Sequence, residues 1–364
     1  MHRNEELDDN YICSERLAHL GVSAQRFQRP VEVVGWLGAL QAQDYPGALW
    51  AIALRLPDAT VAHIEGAIAD RSIVRTWPMR GTLHFVSAED IHWMRRLLAP
   101  KAIAVAAARR GALGLLESDF ARCENVFLKE LSGGRQLTRD SLYAVMSDAA
   151  VSPDNQRGMH IIRHLAMDGL LCFGSHEGKQ PSFALLNDWC PETKVLSHDE
   201  SLAQLAHRYF TSHGPATIDD LVRWAGLNVR DVKTGIELAS DVLTRETIKG
   251  KFHWTAQGLR AASQTSPLAH LLPGFDEYML GYKDRSFALA PEHANAICPG
   301  NNGIFIATIV IDGAVVGTWS KTDKKNTVQI KLNPFEPLTD IKLAAIQIAA
   351  DRYGRFMSKK AEIV

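Results

Sequence analysis

At 364 residues, with 46% of them hydrophobic, the chain is long for one core and suits two to four compact units at roughly 100–200 residues each. No apolar run approaches the ~20 residues a membrane helix needs, and the acidic, polar opening MHRNEELDDN excludes a signal peptide, so a cytoplasmic protein is expected. A formal net charge of −1 argues against a protein that coats nucleic acid, and the five scattered cysteines, Cys13, Cys123, Cys172, Cys190 and Cys298, form no C-x-x-C pair and read as reduced core thiols.

In chain order, residues 9–20 (DNYICSERLAHL) read as a helix that Gly21 stops. In residues 29–56, RPVEVVGWLGALQAQDYPGALWAIALRL, the apolar Val34, Leu37 and Leu40 fall at helical spacing. Tyr45-Pro46-Gly47 is expected to end that helix, because the residue before proline avoids the α region and proline has no amide donor. Gln41 and Gln43 then sit at a helix end, with Asp44 beside them. Residues two apart diverge on a helix and converge in an extended turn, so the spacing leaves their geometry open. An amide offers an acceptor and an NH2 donor, so a close pair can orient a water or a base edge but cannot serve as a strong base. Solvated polar residues at a helix end are the other reading of the same pair.

Residues 60–70 read as an amphipathic helix capped by Thr60, and 72–77 with 81–86 as a hairpin around Pro78. A helix from Ser87 through Arg96 and a further one over 101–110 follow. Between residues 71 and 110 the bases Arg71, Arg75, Arg80, Arg95, Arg96, Lys101, Arg109 and Arg110 face only Glu89 and Asp90, which fits either a phosphate-binding face or solvated helix surface. The order of helices then hairpin recurs twice. Helices over 124–131, 139–146 (capped by Thr138) and 156–169 precede strands at 170–173 and 182–186, and helices over 201–213, 217–224 and 229–238 precede strands at 243–248 and 251–255. Beyond a small-residue linker at 261–266, strands at 303–311, 315–320 and 327–332, with an Asp312-Gly313 turn, lead to an amphipathic helix over 340–352. The expected fold class is α+β. Three tandem winged-helix modules occupy 1–117, 118–190 and 191–260, and a small β-barrel-like domain with a terminal helix occupies 261–364.

Winged helices bind DNA through a helix in the major groove and a hairpin along the backbone. Candidate contacts on the first hairpin are Arg75, Trp77, Arg80 and His84, an alternating cationic and aromatic set, with a core position as the alternative for Trp77. Those on the third helix of the second module are Gln156, Arg157, His160, Arg163 and His164. His160 and His164 have the spacing of a metal pair, but no third ligand accompanies them and no metal is expected. In residues 271–285, LLPGFDEYMLGYKDR, Asp276, Glu277 and Tyr278 are candidates to line a cleft, with pairing of the acids to Lys283 or Arg285 as the alternative. The absence of G-x-S-x-G, Walker and G-x-G-x-x-G patterns disfavours α/β-hydrolases, P-loop enzymes and dinucleotide enzymes.

The segment QAQDYPGALWAIALRL at 41–56, with RTWPMRGTLHF at 75–85, resembles the signature of the AlkZ-like (YcaQ-like) winged-helix DNA glycosylases, and the resemblance runs along nearly the whole chain. It implies a monofunctional DNA glycosylase, without cofactor, that acts on alkylated purines in double-stranded DNA. In the wider family the substrates include N7-alkylguanine and some interstrand crosslinks. Gln41 and Gln43 match the family's Gln-x-Gln form and by that resemblance hold the hydrolytic water, with Asp44 as an electrostatic aid. No lysine occurs between residues 29 and 56, which argues against a Schiff-base lyase acting from this segment. The alternative reading is a non-catalytic winged-helix regulator. Neither requires a membrane or an obligatory protein partner.

Overall fold

The Asp312-Gly313 turn forms as its residue types predict. Both residues have positive φ, 51° and 88°, and Ile311 pairs with Ala314 across them. In this computed structural model, which describes residues 9–24, 26–177, 180–258 and 267–364, the turn joins Thr308–Ile311 to Ala314–Asp323. The expected linker at 261–266 lies outside the described residues. The chain divides into two compact units, one of Met1–Glu65, Leu202–Trp224 and Asn228–Val364, the other of Gly66–Ser201 with Ala225–Leu227.

In the first unit, five strands lie in the order Lys360–Ile363, Thr327–Pro334, Ala314–Asp323, Thr308–Ile311 and Ala269–Leu272. All neighbours are antiparallel except the terminal strand, which pairs parallel to Thr327–Pro334. The two edge strands carry no clear alternation and are too short to show in the sequence. Helix Asp340–Phe356, capped by Thr339, runs beyond the expected residue 352, so that Tyr353 and Phe356 reach the core. Tyr353 lies edge-on to Trp319 of the sheet, with ring centroids 5.2 Å apart. The helices Asp9–His19, Pro30–Leu37, Tyr45–Ala53 and Val229–Leu238, the last capped by Asn228, and the hairpin Leu243–Ile248/Lys251–Ala256 belong to this unit, the hairpin strands close to expectation.

In the second unit, strands Thr82–Ser87, Ile73–Met79, Leu171–Glu177, Gln180–Leu185 and Leu137–Thr138 form an antiparallel sheet in that order. Pro78 falls at a register shift between Thr76 and Met79, where a strand tolerates a missing donor. Thr138 caps Arg139–Asp148 through Ser141 N at 3.3 Å. Two expectations fail here. Pro100 does not divide the helices at 87–96 and 101–110: Ile91–Val105 is continuous, because Leu98, Ala99 and Ala102 are buried beside the proline and their packing outweighs its cost of roughly 3 kcal/mol. Helix Glu117–Leu131 also begins earlier than residue 124. Its start is set by the Asp119 carboxylate, which accepts from Leu116 N at 3.0 Å, and a leucine at the cap position gives no sequence signal.

Candidate active site

The glutamine segment is entered through helix Pro30–Leu37. Glu32 reaches back to accept from Gln28 N (2.9 Å), Arg29 N (3.2 Å) and Arg29 Nε (2.8 Å). The Gln28 amide, then the Arg29 contacts, hold its carboxyl down at about 2, against an ordinary 4.5. A depressed carboxyl stabilises the fold above its unfolded value and loses that contribution as pH falls toward the folded one. Glu32→Gln is therefore expected to lower the urea midpoint at pH 7, by a small amount because the group is exposed. The gap from wild type should already be narrower at pH 4. A gap that is constant between pH 7 and pH 4 would show that the charge of Glu32 contributes nothing to this turn.

The helix stops at Gly38, whose φ of 82° suits glycine, rather than at Tyr45-Pro46-Gly47. The Tyr-Pro-Gly sequence opens the next helix, Tyr45–Ala53, with proline in its first turn, where an amide donor would have had no partner in any case. Between the two helices the chain is extended at Leu40–Gln41, and this settles the question the spacing left open. Alternation sends Ala42 into the core at 0% exposure and places Gln41 and Gln43 side by side. Gln41 Nε2 donates to Gln43 Oε1 at 2.8 Å. Gln41 is 6% exposed, whereas Gln43 and Asp44 are exposed. Among the described residues, Gln41 Oε1 and the Gln43 NH2 group have no protein partner, so the pair presents one acceptor and one donor outward.

The Asp44 carboxylate folds over the start of the following helix. A Cβ on Gly47 would meet its Oδ2, so a larger residue there would turn the carboxylate aside. Lys321, on strand Ala314–Asp323, carries its ammonium 5.4 Å from the Tyr353 ring centroid. Partial burial lowers its pKa, and the negative charges of Asp44 and Asp323 oppose that effect. A lysine therefore reaches the electrostatic neighbourhood of the segment from a strand far along the chain, which inspection of residues 29–56 alone did not reveal. The helix behind the glutamines is fixed by Trp50, whose Nε1 donates to Leu271 O at 2.7 Å and whose ring meets Tyr353 at 5.0 Å. Arg55, fully buried, donates to Leu20 O and Ala51 O, both at 2.6 Å, and grips Asp276 through two bonds of 2.9 and 3.1 Å.

That pairing corrects the assignment of Asp276, Glu277 and Tyr278 to a cleft. Each is about 1% exposed. Asp276 neutralises Arg55 rather than Lys283 or Arg285, and Glu277 accepts from Trp224 Nε1 at 2.9 Å with His213 Nε2 3.3 Å away. Tyr278 donates to Gly313 O at 2.5 Å. All three are internal struts.

In the second unit, burial also removes most of the first-hairpin candidates from contact. Trp77 is 6% exposed and packs on Phe173 at 5.1 Å within a core that includes Phe127, Leu142 and Ile161. Arg75 is buried with its guanidinium over the Phe173 ring. His84 is buried and neutral, its pKa pushed down to about 3 by burial and then by Arg80; its Nδ1 donates to Thr82 O at 2.9 Å, and Arg80 Nη2 donates to its Nε2 at 3.3 Å. On helix Arg157–Asp168, Arg157 serves as a staple to Leu113 O, Gly114 O and Asp119. Gln156 is exposed, and His160, Arg163 and His164 are half-buried. Arg109 donates to Gln156 Oε1 at 3.1 Å and Arg110 to His164 Nδ1 at 2.7 Å, so the two arginines of 107–112 join this face. No group of three or more His, Cys, Asp or Glu residues able to hold a metal ion occurs among the described residues. No helix among them is long and apolar enough to cross a membrane.

The solved structure of Streptomyces sahachiroi DNA glycosylase AlkZ matches this mixed α+β fold with a TM-score of 0.80 and 25% identity, covering 99% of this chain and 100% of that one. A curated relative from Streptomyces sahachiroi, the "Interstrand DNA cross-link repair glycosylase", is 29% identical over 346 residues, 89% of this chain and 90% of its own length. The class defined in this way is that of the DNA glycosylases, hydrolases of N-glycosyl bonds. Within it the chain belongs to the AlkZ-like DNA glycosylase family, whose model matches residues 34–356.

Proposed function

We propose that this glycosylase removes alkylated purines of the N7-alkylguanine type, crosslinked ones included, from double-stranded DNA, using a water held by Gln41 and Gln43. The observation that carries the proposal is the paired amides, with Gln41 Oε1 and the Gln43 NH2 group left open. A purine alkylated at N7 is cationic and departs as a neutral base when the bond from C1′ breaks, so little acid assistance is needed. The remaining work is positional: a water must stand behind the sugar as cationic character develops there. Gln41 Oε1 can accept one proton of that water while the Gln43 NH2 group donates to its oxygen, leaving a lone pair for C1′. Asp44, exposed beside the pair, adds negative charge next to the developing cation. The curated relative's name, which refers to interstrand cross-links, supports extending the substrate class to crosslinked bases.

The order of helices and hairpins supports three winged-helix modules at 1–117, 118–190 and 191–260 ahead of a β-barrel-like domain at 261–364. The exposed Gln156 and the half-buried His160, Arg163 and His164, with Arg109 and Arg110, are the phosphate-contacting face in this reading, which takes the enzyme to work in the cytoplasm without cofactor or obligatory partner. The test is a duplex carrying a single N7-methylguanine, incubated with enzyme and then treated with alkali to cut at abasic sites. Strand cleavage only after alkali is the expected result. Intact strands from this duplex, and from one carrying a bulky N7 adduct, would overturn the substrate assignment.

A further inference from the structure

Arg16 on helix Asp9–His19 is 3% exposed and, among the described residues, has no carboxylate partner. Its Nε donates to Pro215 O at 3.0 Å, and its guanidinium lies 3.7 Å over the Tyr282 ring and 5.2 Å from that of Phe287. Its two Nη groups donate to no protein acceptor among the described residues, and they border a cavity of about 820 Å³. A buried guanidinium is costly unless its remaining donors are satisfied, and guanidinium geometry suits a phosphate or carboxylate. Asp220, a buried acid in the lining, is already committed: it accepts from Thr217 N (2.8 Å), Thr217 Oγ1 (2.9 Å) and Lys283 N (2.7 Å).

The rest of the lining supplies what a phosphate with a ring attached would use. His253, 1% exposed, spends Nδ1 on Lys251 O at 3.1 Å and, among the described residues, has no hydrogen-bond partner at Nε2. Phe252, half exposed on the hairpin, and Trp254 and Phe287 add aromatic surface. The rim ammoniums are each paired, Lys249 with Asp9, Lys251 with Asp284 at 3.4 Å and Lys283 with Asp219 at 2.9 Å, so among the described lining residues the arginine or lysine without an acidic partner is the buried Arg16. The volume lies within the ~300–1,000 Å³ usual for small-molecule sites.

We propose that this cavity binds a nucleotide unit, with its phosphate on Arg16 and its base against Phe252, at a site that shares no residue with the glutamine pair. The ligand has two sources, a free mononucleotide or a nucleotide of a DNA strand, and the same experiment separates them. Calorimetry with dGMP on the full-length protein is expected to show saturable binding, weakened about tenfold or more by Phe252→Ala, an exposed position whose loss the fold tolerates, and by Arg16→Lys. Circular dichroism melts check that both variants fold. A short single-stranded oligonucleotide that displaces dGMP identifies a strand as the source, and failure to displace it identifies a free nucleotide. No binding of dGMP at millimolar concentration, or binding unaltered in folded Phe252→Ala, would overturn the assignment.

Discussion

Gln41→Ala and Gln43→Ala are each expected to slow single-turnover excision by about 10²–10³-fold, the loss found when one preorganised hydrogen-bonding group is removed from a reacting centre. The two amides act as a unit, because each holds the other through the 2.8 Å Nε2 to Oε1 bond and each presents the one group the other lacks. Removing either frees its neighbour to rotate. The double variant should consequently be little slower than the worse single one, as for residues that share one function. Gln43 is exposed, so its truncation should leave the melting curve unchanged and let the rate report on chemistry alone. Asp44→Asn keeps the shape of the turn and removes only charge, and a smaller effect is expected from it. A single alanine variant that excises at the wild-type rate would sink the assignment of the water to this pair.

Asp276→Ala should cost about 3–5 kcal/mol of stability, read as a fall in urea midpoint with unchanged slope, because it strands a guanidinium that is fully buried. Arg55 cannot find replacement water: its other bonds, to Leu20 O and Ala51 O, already fix its position inside the unit. The same aspartate accepts from Tyr278 N at 2.9 Å at the head of helix Glu277–Leu280, so the substitution also removes a cap. The double change Arg55→Met with Asp276→Leu should recover much of the loss, since the desolvated charges then disappear together. A loss from Asp276→Ala no larger than that of a surface ion pair, up to ~1 kcal/mol, would contradict this account.

Features that the sequence disclosed are those written in neighbouring residues. The Asp312-Gly313 turn, the Thr138 cap and the Leu243–Ile248/Lys251–Ala256 hairpin rest on local backbone preferences, and each formed close to where it was expected. The glutamines were visible as residue types, but their meeting depends on Gly38 turning the chain early, and glycine in GWLGAL does not declare which of its conformations it adopts. Tyr45-Pro46-Gly47 was legible as punctuation and read in the wrong direction, since proline serves a helix start as readily as it ends one. Partners distant in sequence left no trace: Arg55 meets Asp276 across 221 residues, and Lys321 comes to the neighbourhood of Asp44 from another element. Trp77, Arg75 and His84 illustrate the converse, a polar and aromatic alternation that suggests a contact surface and is consumed by packing.

The anchoring of the Tyr45–Ala53 helix has a consequence for synthesis. Trp50 rests on Tyr353 and Phe356, and Arg352 donates to Leu54 O and Leu56 O, so the backing of the glutamine helix comes from helix Asp340–Phe356. On the ribosome the segment bearing Gln41 and Gln43 emerges well ahead of that support, since Arg352 and Leu54 lie 298 residues apart in the chain. Until residues 340–356 have followed it out, a nascent chain carries the two amides without the scaffold that aligns them.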